Sequence, residues 1–162
     1  MRDEHKGLFP HIESLKLAGI SVHGTLSQAS LDLINESYEF LNGHLLPHAQ
    51  AEEATLYPAV QKVMGTPYAT ATMSRDHVEV EQLTYELATY RDQVTATEIG
   101  AKQANELKRV LYGLYTLVKV HFAKEEEVYL PLLDANLPED DARELFEAME
   151  VAAGEAKARV VV

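Results

Sequence analysis

A chain of 162 residues carrying 14 Lys and Arg against 26 Asp and Glu, a formal net charge of −12 and no cysteine is long enough for one domain with its own hydrophobic core. The missing thiols exclude disulfides, thiolate metal sites and cysteine nucleophiles, so any bound metal must be held by nitrogen and oxygen. The acidic balance argues against nucleic acid or an anionic membrane as partner, since both require clustered basic side chains, and it suits a cation.

The opening "MRDEHKGLFPHIE" lacks the basic start and apolar run of a secretion signal, and no segment reaches the roughly 18 consecutive apolar residues of a membrane span. A soluble cytoplasmic protein is expected. Helical periodicity begins here: His5, Leu8, Ile12, Leu15, Gly19 and Val22 share one stripe, predicting a first helix over 4–22, with Gly7 and Pro10 in its first turns or at a kink. Ser27 is placed to cap a second helix reaching about Lys62, kinked by Gly43 and Pro47. Its stripe of Leu31, Ile34, Tyr38, Leu41 and Leu45 leads straight into His48 and Glu52. "MGTPYAT" reads as a loop. A third helix starts near Thr72 with Met73, His77, Val80, Thr84 and Leu87 on one side and Glu81 one turn after His77, and "TATEIG" marks its end. The fourth helix, about Ala101 to Leu133, carries Leu107, Leu111, Leu114 and Val118, then His121 and Glu125, and the stripe is expected to resume with Val128 and Leu132 before Asn136 and Pro138 close it. "PEDDARELFEAME" reads as a short helix with acidic residues at its start; "VAAGEAKARVVV" is undecided. Strand signals are nearly absent. The expected fold is all-α: an up-down-up-down four-helix bundle over 1–135 with a short additional C-terminal helix and tail over 136–162.

Two stretches repeat each other. "HAQAEEATLYPAV" from residue 48 and "HFAKEEEVYLPLL" from residue 121 share a His, a Glu-Glu starting four residues later and a Pro ten residues later. On both, the His and the first Glu fall in phase with the core stripe, where unpaired polar groups are costly. All four helices thus bring a stripe histidine (His5, His48, His77, His121), and three add a carboxylate one turn on (Glu52, Glu81, Glu125). A lone His-Glu pair at this spacing is commonly a local salt link. Four together form a first-row metal inventory whose donor count suits two ions better than one, with Glu52 and Glu125 as the natural bridges.

"DEHKGLF" at 3–9, H-x-x-x-E at 48–52, His77 and H-x-x-x-E at 121–125 together resemble the hemerythrin family, specifically the bacterial hemerythrin-like (HHE) cation-binding domains, over residues 3 to about 134. The resemblance implies a four-helix bundle with two non-heme iron ions and a bridging oxo or hydroxo group, iron being favoured over zinc or manganese. His5, His48, His77, Glu81 and His121 would be terminal ligands and Glu52 and Glu125 bridges, seven site residues in all, in a monomer or homodimer whose partners are O₂, hydrogen peroxide or NO. Two departures stand out. Oxygen-carrying members have H-x-x-x-H on the third helix, where this chain has "HVEVE" with Glu81 in place of the second histidine. The fourth-helix carboxylate is a Glu four residues after its His, in place of an Asp five after. A carboxylate for an imidazole favours ferric iron and thereby peroxide or redox chemistry in an oxidative-stress role; sensing or carrying O₂, NO or iron without turnover is the alternative. Glu81 turned away would leave a coordination position open. Ferritin-like di-iron proteins, marked by E-x-x-H, fit less well, since the residues three before the stripe histidines are Arg2, Leu45, Ser74 and Val118.

Of the remaining histidines, His11 could exchange roles with His5 if Pro10 shifts the helix phase; His44, one turn before His48, reads as a boundary residue, with an extra ligand, a support for a ligand or a gate as the alternative; and His23 reads as surface. Tyr57 and Tyr129 are expected to be amphipathic residues at the bundle end, with a proton-donor role for a phenol near the metals as the alternative. Glu53, Glu126 and Glu127 fall off the stripe and are expected to be solvated.

Overall fold

The computed structural model describes residues 2–94 and 99–160. It is all-helical, with five helices in a bundle: α1 (Arg2–Ser21), α2 (28–64), α3 (Ala71–Gln93), α4 (101–136) and α5 (Glu139–Val160). α1 packs on α2 and α4, and α3 packs on the same two, so the first four close a ring. Ser27 caps α2 as expected, its hydroxyl accepting from the Ser30 N–H at 3.1 Å. Gly65, at φ 68°, ends α2 in the left-handed conformation that a side chain would disfavour. Pro10 lies well inside α1. The "TATEIG" boundary falls largely outside the described residues; α3 has ended before it, at Gln93.

Three π-helical turns interrupt the long helices, at Leu41–Leu45 and Glu52–Leu56 in α2 and at Glu125–Tyr129 in α4. Each is followed, two residues on, by a proline: Pro47, Pro58 and Pro131. Proline cannot donate to the carbonyl four residues back, and its ring would collide with it. The helix widens instead: the N–H groups of Leu46, Tyr57 and Leu130 reach back five residues, to the carbonyls of Leu41, Glu52 and Glu125. The expected kink at Gly43 and Pro47 is therefore a widened turn.

A π turn also inserts one residue into the stripe. At about 100° per residue, five residues of α-helix would rotate Tyr57 roughly 140° from Glu52, whereas one widened turn returns it to the same face. In α4 the register slips likewise. Val128, expected in the core, is exposed and Leu132 half-buried, while Tyr129, Leu130 and Leu133 are buried.

The core falls into two main apolar clusters. One gathers Ile12, Leu15, Ile34, Leu41, Leu87, Leu107, Leu111 and Leu114; the other holds Leu56, Tyr57, Val60, Met73, Tyr129, Leu130 and Leu133. α2 and α4 run from the first to the second, and the buried His48, Glu52, His121 and Glu125 occupy the stretch between. α5 extends through "VAAGEAKARV", longer than the short helix expected, because Met149 and Ala153 bury against α2 in a cluster with the fully buried Ala51, and Ala156 is buried further along. That packing outweighs the roughly 1 kcal/mol that Gly154 costs in a helix interior.

Candidate metal centre

Six of the seven expected site residues meet in one buried cluster. Their donor atoms form two groups: His5, His48, Glu52 and Glu125, and Glu52, His77 and His121, with all donor atoms of a group within 4.8 Å of one another. Glu52 belongs to both. Its Oε1 lies 3.0 Å from His48 Nε2, and its Oε2 lies 3.2 Å from His77 Nε2 and 3.9 Å from His121 Nε2. Glu125 is divided the same way, with Oε2 3.5 Å from His5 Nε2 and Oε1 3.2 Å from His121 Nε2. Each carboxylate thus offers one oxygen to each pair of imidazoles.

The seventh residue, Glu81, is not brought in. It is exposed, and its neighbour Val80 takes the inward position at 4% exposure. Spacing alone put Glu81 beside His77, but helix α3 rises a full turn between them, and on the inner side that turn faces the apolar layer. His11 and His44 are exposed too, with His11 stacked on Phe40 at 4.9 Å, and His23 is at the surface.

The other ring nitrogen of each site histidine faces a carboxylate that the sequence did not single out. His5 Nδ1 donates to Glu126 Oε1 at 2.7 Å, His77 Nδ1 to Glu53 Oε1 at 2.9 Å and His121 Nδ1 to Asp76 Oδ2 at 3.1 Å. Glu4 Oε1 lies 3.2 Å from His48 Nδ1, off the line of a good hydrogen bond. The four links run round the ring: α1 supports the histidine of α2, α2 that of α3, α3 that of α4, and α4 that of α1. Each supporting acid is the immediate chain neighbour of a site residue, Glu4 of His5, Glu53 of Glu52, Asp76 of His77 and Glu126 of Glu125. One residue of offset turns it toward the adjacent helix. Glu53 is exposed as expected yet also engaged by His77, Glu126 is half-buried and engaged by His5, and Glu127 is exposed as expected.

The three hydrogen-bonded links set the tautomers of His5, His77 and His121, and Glu4 favours the same form of His48 by its charge. A carboxylate cannot donate, so Nδ1 keeps the proton and Nε2 turns a lone pair inward. The lone pairs then confront one another, His5 to His48 at 3.3 Å and His77 to His121 at 3.0 Å. Both oxygens of Glu52 and Oε2 of Glu125 are buried without a hydrogen bond, although histidine nitrogens stand at ion-pair distance. Such an array is repulsive unless positive charge sits within it. Left to its own charges, the protein gathers protons. Burial alone would lower His48, yet Glu52 and Glu4 raise it to about 10. His121 is likewise raised to about 10 by Glu125 and Glu52 against its burial. Burial and the adjacent Glu52 push Glu125 up to about 7, while burial and His48 lower His5. The residues fit metal cations, which supply the same charge without protons.

Tyr57 is a further residue that the sequence reading misplaced. It is 1% exposed, and its hydroxyl donates to Glu125 Oε1 at 3.2 Å and lies 3.2 Å from His77 Nε2 and 3.3 Å from His121 Nε2. Its ring stacks on His77 and Phe122 stacks on His5, fixing two imidazole planes. Burial, Glu52 and Glu125 push the Tyr57 phenol upward, so it stays protonated. Tyr129 does sit away from the cluster, donating to the Ala69 carbonyl at 2.9 Å.

A helical bundle that buries histidines and carboxylates between its apolar layers, with donors for more than one cation, is a cation-binding bundle protein. The family model of the hemerythrin HHE cation-binding domain matches residues 1–133, and the chain belongs to the hemerythrin family. Neither the curated proteins nor the solved structures offer a significant match. Helix α5 lies beyond the matched residues. Among the described residues no helix is long and apolar enough to cross a membrane.

Proposed function

We propose that this chain is a non-heme di-iron protein acting on O₂ or peroxide, with peroxide decomposition the favoured activity. In this reading residues 1–135 form an up-down-up-down four-helix bundle, and 136–162 are an appended element. One ion would be held by His5 and His48, the other by His77 and His121, with Glu52 and Glu125 able to serve both. The observation that carries the reading is the pair of donor groups meeting at Glu52. Two imidazoles and a share of two carboxylates give each ion about four protein donors, fewer than the six that iron commonly accepts, so both retain room for a small ligand. When bound, an iron pair supplies the electrons and coordination positions that O₂ or peroxide chemistry requires.

The chain's own residues favour the oxidised, peroxide-handling variant. With Glu81 at the surface, the extra anionic charge comes instead from Glu53, Asp76 and Glu126, whose hydrogen bonds from Nδ1 make His77, His121 and His5 stronger donors, and from Glu4 beside His48. Tyr57 holds a proton at its hydroxyl within 3.3 Å of His77, His121 and Glu125, where a general acid would stand. The apolar clusters above and below exclude bulk water.

The test is elemental analysis with an ultraviolet–visible spectrum of protein purified without added metal, followed by peroxide addition. Two irons per chain, near-ultraviolet charge-transfer bands and evolution of O₂ from peroxide support the reading. Two irons with a reversible oxygen-dependent spectrum and no turnover would make the protein a carrier or sensor. One zinc, or no metal and no response to chelation, would overturn it.

A further inference from the structure

The four site imidazoles are not equally sealed. His5, His48 and His121 have side chains 0%, 2% and 5% exposed, whereas His77 is 11% exposed. It forms part of the floor of a surface groove of about 330 Å³ between α2 and α3, with Ala49 beside it and Glu53, Ser74 and Glu81 on the walls. Beneath lies a second, much smaller cavity of about 10 Å³, bounded by Leu45, Val80, Val118 and Phe122 and reaching His48, Glu52, His77 and His121. The two spaces share only Ala49 and His77.

We infer that the groove between α2 and α3 is the entrance to the metal centre, that Ala49 is its gate, and that Glu53 and Glu81 make it selective for small neutral molecules. The inference rests on the two-cation reading and adds the route and its selectivity. A cavity of about 10 Å³ takes one molecule of about the size of water, so the inner space is a constriction that passes molecules of a few atoms, such as nitric oxide, peroxide or azide, and excludes larger ones. Ala49 bounds both spaces with a single methyl group, and any larger side chain there fills the passage. His77 cannot swing aside freely, since Glu53 holds its Nδ1 and Ser74 in turn donates to Glu53 at 2.9 Å. The groove lining contains two carboxylates and no Lys or Arg, so an approaching anion meets repulsion and a neutral molecule does not. Glu81, which takes no part in the metal cluster, gains a role as one wall of this filter.

The test uses full-length protein whose metal content has been measured, with nitric oxide as the neutral probe of the reduced form and azide as the anionic probe of the oxidised form, both followed by stopped-flow absorbance. Ala49→Leu should slow both association rates at least about tenfold and Ala49→Val by less, with metal content unchanged. Glu81→Gln should speed azide about twofold to threefold at low salt, an effect that fades as ionic strength rises, and leave nitric oxide unaffected. A readout independent of metal is carbethoxylation of the chelated chain by diethyl pyrocarbonate, mapped by mass spectrometry. His77 should react before His5, His48 and His121, and Ala49→Leu should slow it at least about fivefold. Unchanged rates in both Ala49 variants, or earlier modification of one of the other three imidazoles, would overturn the entrance. Protein that binds fewer than two metals per chain would end the two-cation reading, while the order of carbethoxylation would still decide the entrance.

Discussion

Replacing Glu52 with Gln tests the shared position directly. The side chain keeps its size and is fully buried, but the charge and one of two oxygen donors are lost, and both donor groups lose a member because Glu52 belongs to each. With free metal at about a hundredfold its dissociation constant, each ion adds about 2.7 kcal/mol to folding stability, roughly 5 for two. For a chain of this length 1 kcal/mol moves Tm by about 2–4 °C, so loading should raise wild-type Tm by about 10–20 °C over the chelated form. If Glu52→Gln weakens each site about a hundredfold, each ion adds only about 0.4 kcal/mol, and the rise should shrink to about 2–3 °C. Differential scanning fluorimetry of chelated and reloaded samples, with metal content measured in both, gives the comparison, and Glu81→Gln serves as the control that keeps the full rise. A Glu52→Gln protein with the wild-type rise would refute the shared-carboxylate reasoning.

Metal loading of chelated protein at pH 8 should release about two protons per chain, because His48 and His121, both raised to about 10, must give up their Nε2 protons to the ions; buffer-dependent calorimetry reads the number. Since those folded values lie above the ordinary 6.5, their stabilisation of the chelated protein is complete below pH 6.5 and lost as pH rises through about 10, so its Tm should fall between pH 7 and 10. Tyr57→Phe should retain both metals and cost about 1 kcal/mol of stability for the lost hydroxyl contacts, while lowering peroxide turnover by about a hundredfold or more if Tyr57 is the acid. An unchanged turnover number would remove that role. Asp76→Asn should weaken metal binding about 10- to 100-fold, measured by competition with a chelator of known affinity, because the amide no longer holds His121 Nδ1 as a charged acceptor.

Much of the fold and most of the cluster were legible from spacing. His48 with Glu52 and His121 with Glu125 sit one α-turn apart, the Glu52 and Glu125 N–H groups still reaching the His48 and His121 carbonyls just where each π turn begins, so the 3.6-residue period carried them correctly onto the inner face. The same rule failed at Tyr57 and Val128, which lie across or within π turns, where the period is locally longer. The signal was present in Pro58 and Pro131, ten residues after each histidine, but a proline inside a helix reads equally as a kink, a break or a widened turn. Glu81 shows the opposite error. Its spacing from His77 matched that of His48 with Glu52 and His121 with Glu125, yet α3 turns Val80 inward one residue earlier.

What the sequence alone determined is the set of things that depend on local periodicity and residue type: the helices, the capping Ser27, the nitrogen-and-oxygen donor chemistry imposed by a chain without cysteine, and the repeated His-Glu pairs that placed the chain with the hemerythrins. Only the tertiary structure decided how the helices face one another, because that depends on contacts between residues far apart in the chain. The ring in which Glu4, Glu53, Asp76 and Glu126 each support a histidine on the next helix has no periodic signature, since each link spans two helices. The division of Glu52 and Glu125 between two pairs of imidazoles, the Tyr57 hydroxyl among them and the opening at His77 depend in the same way on where four separate helices come to rest.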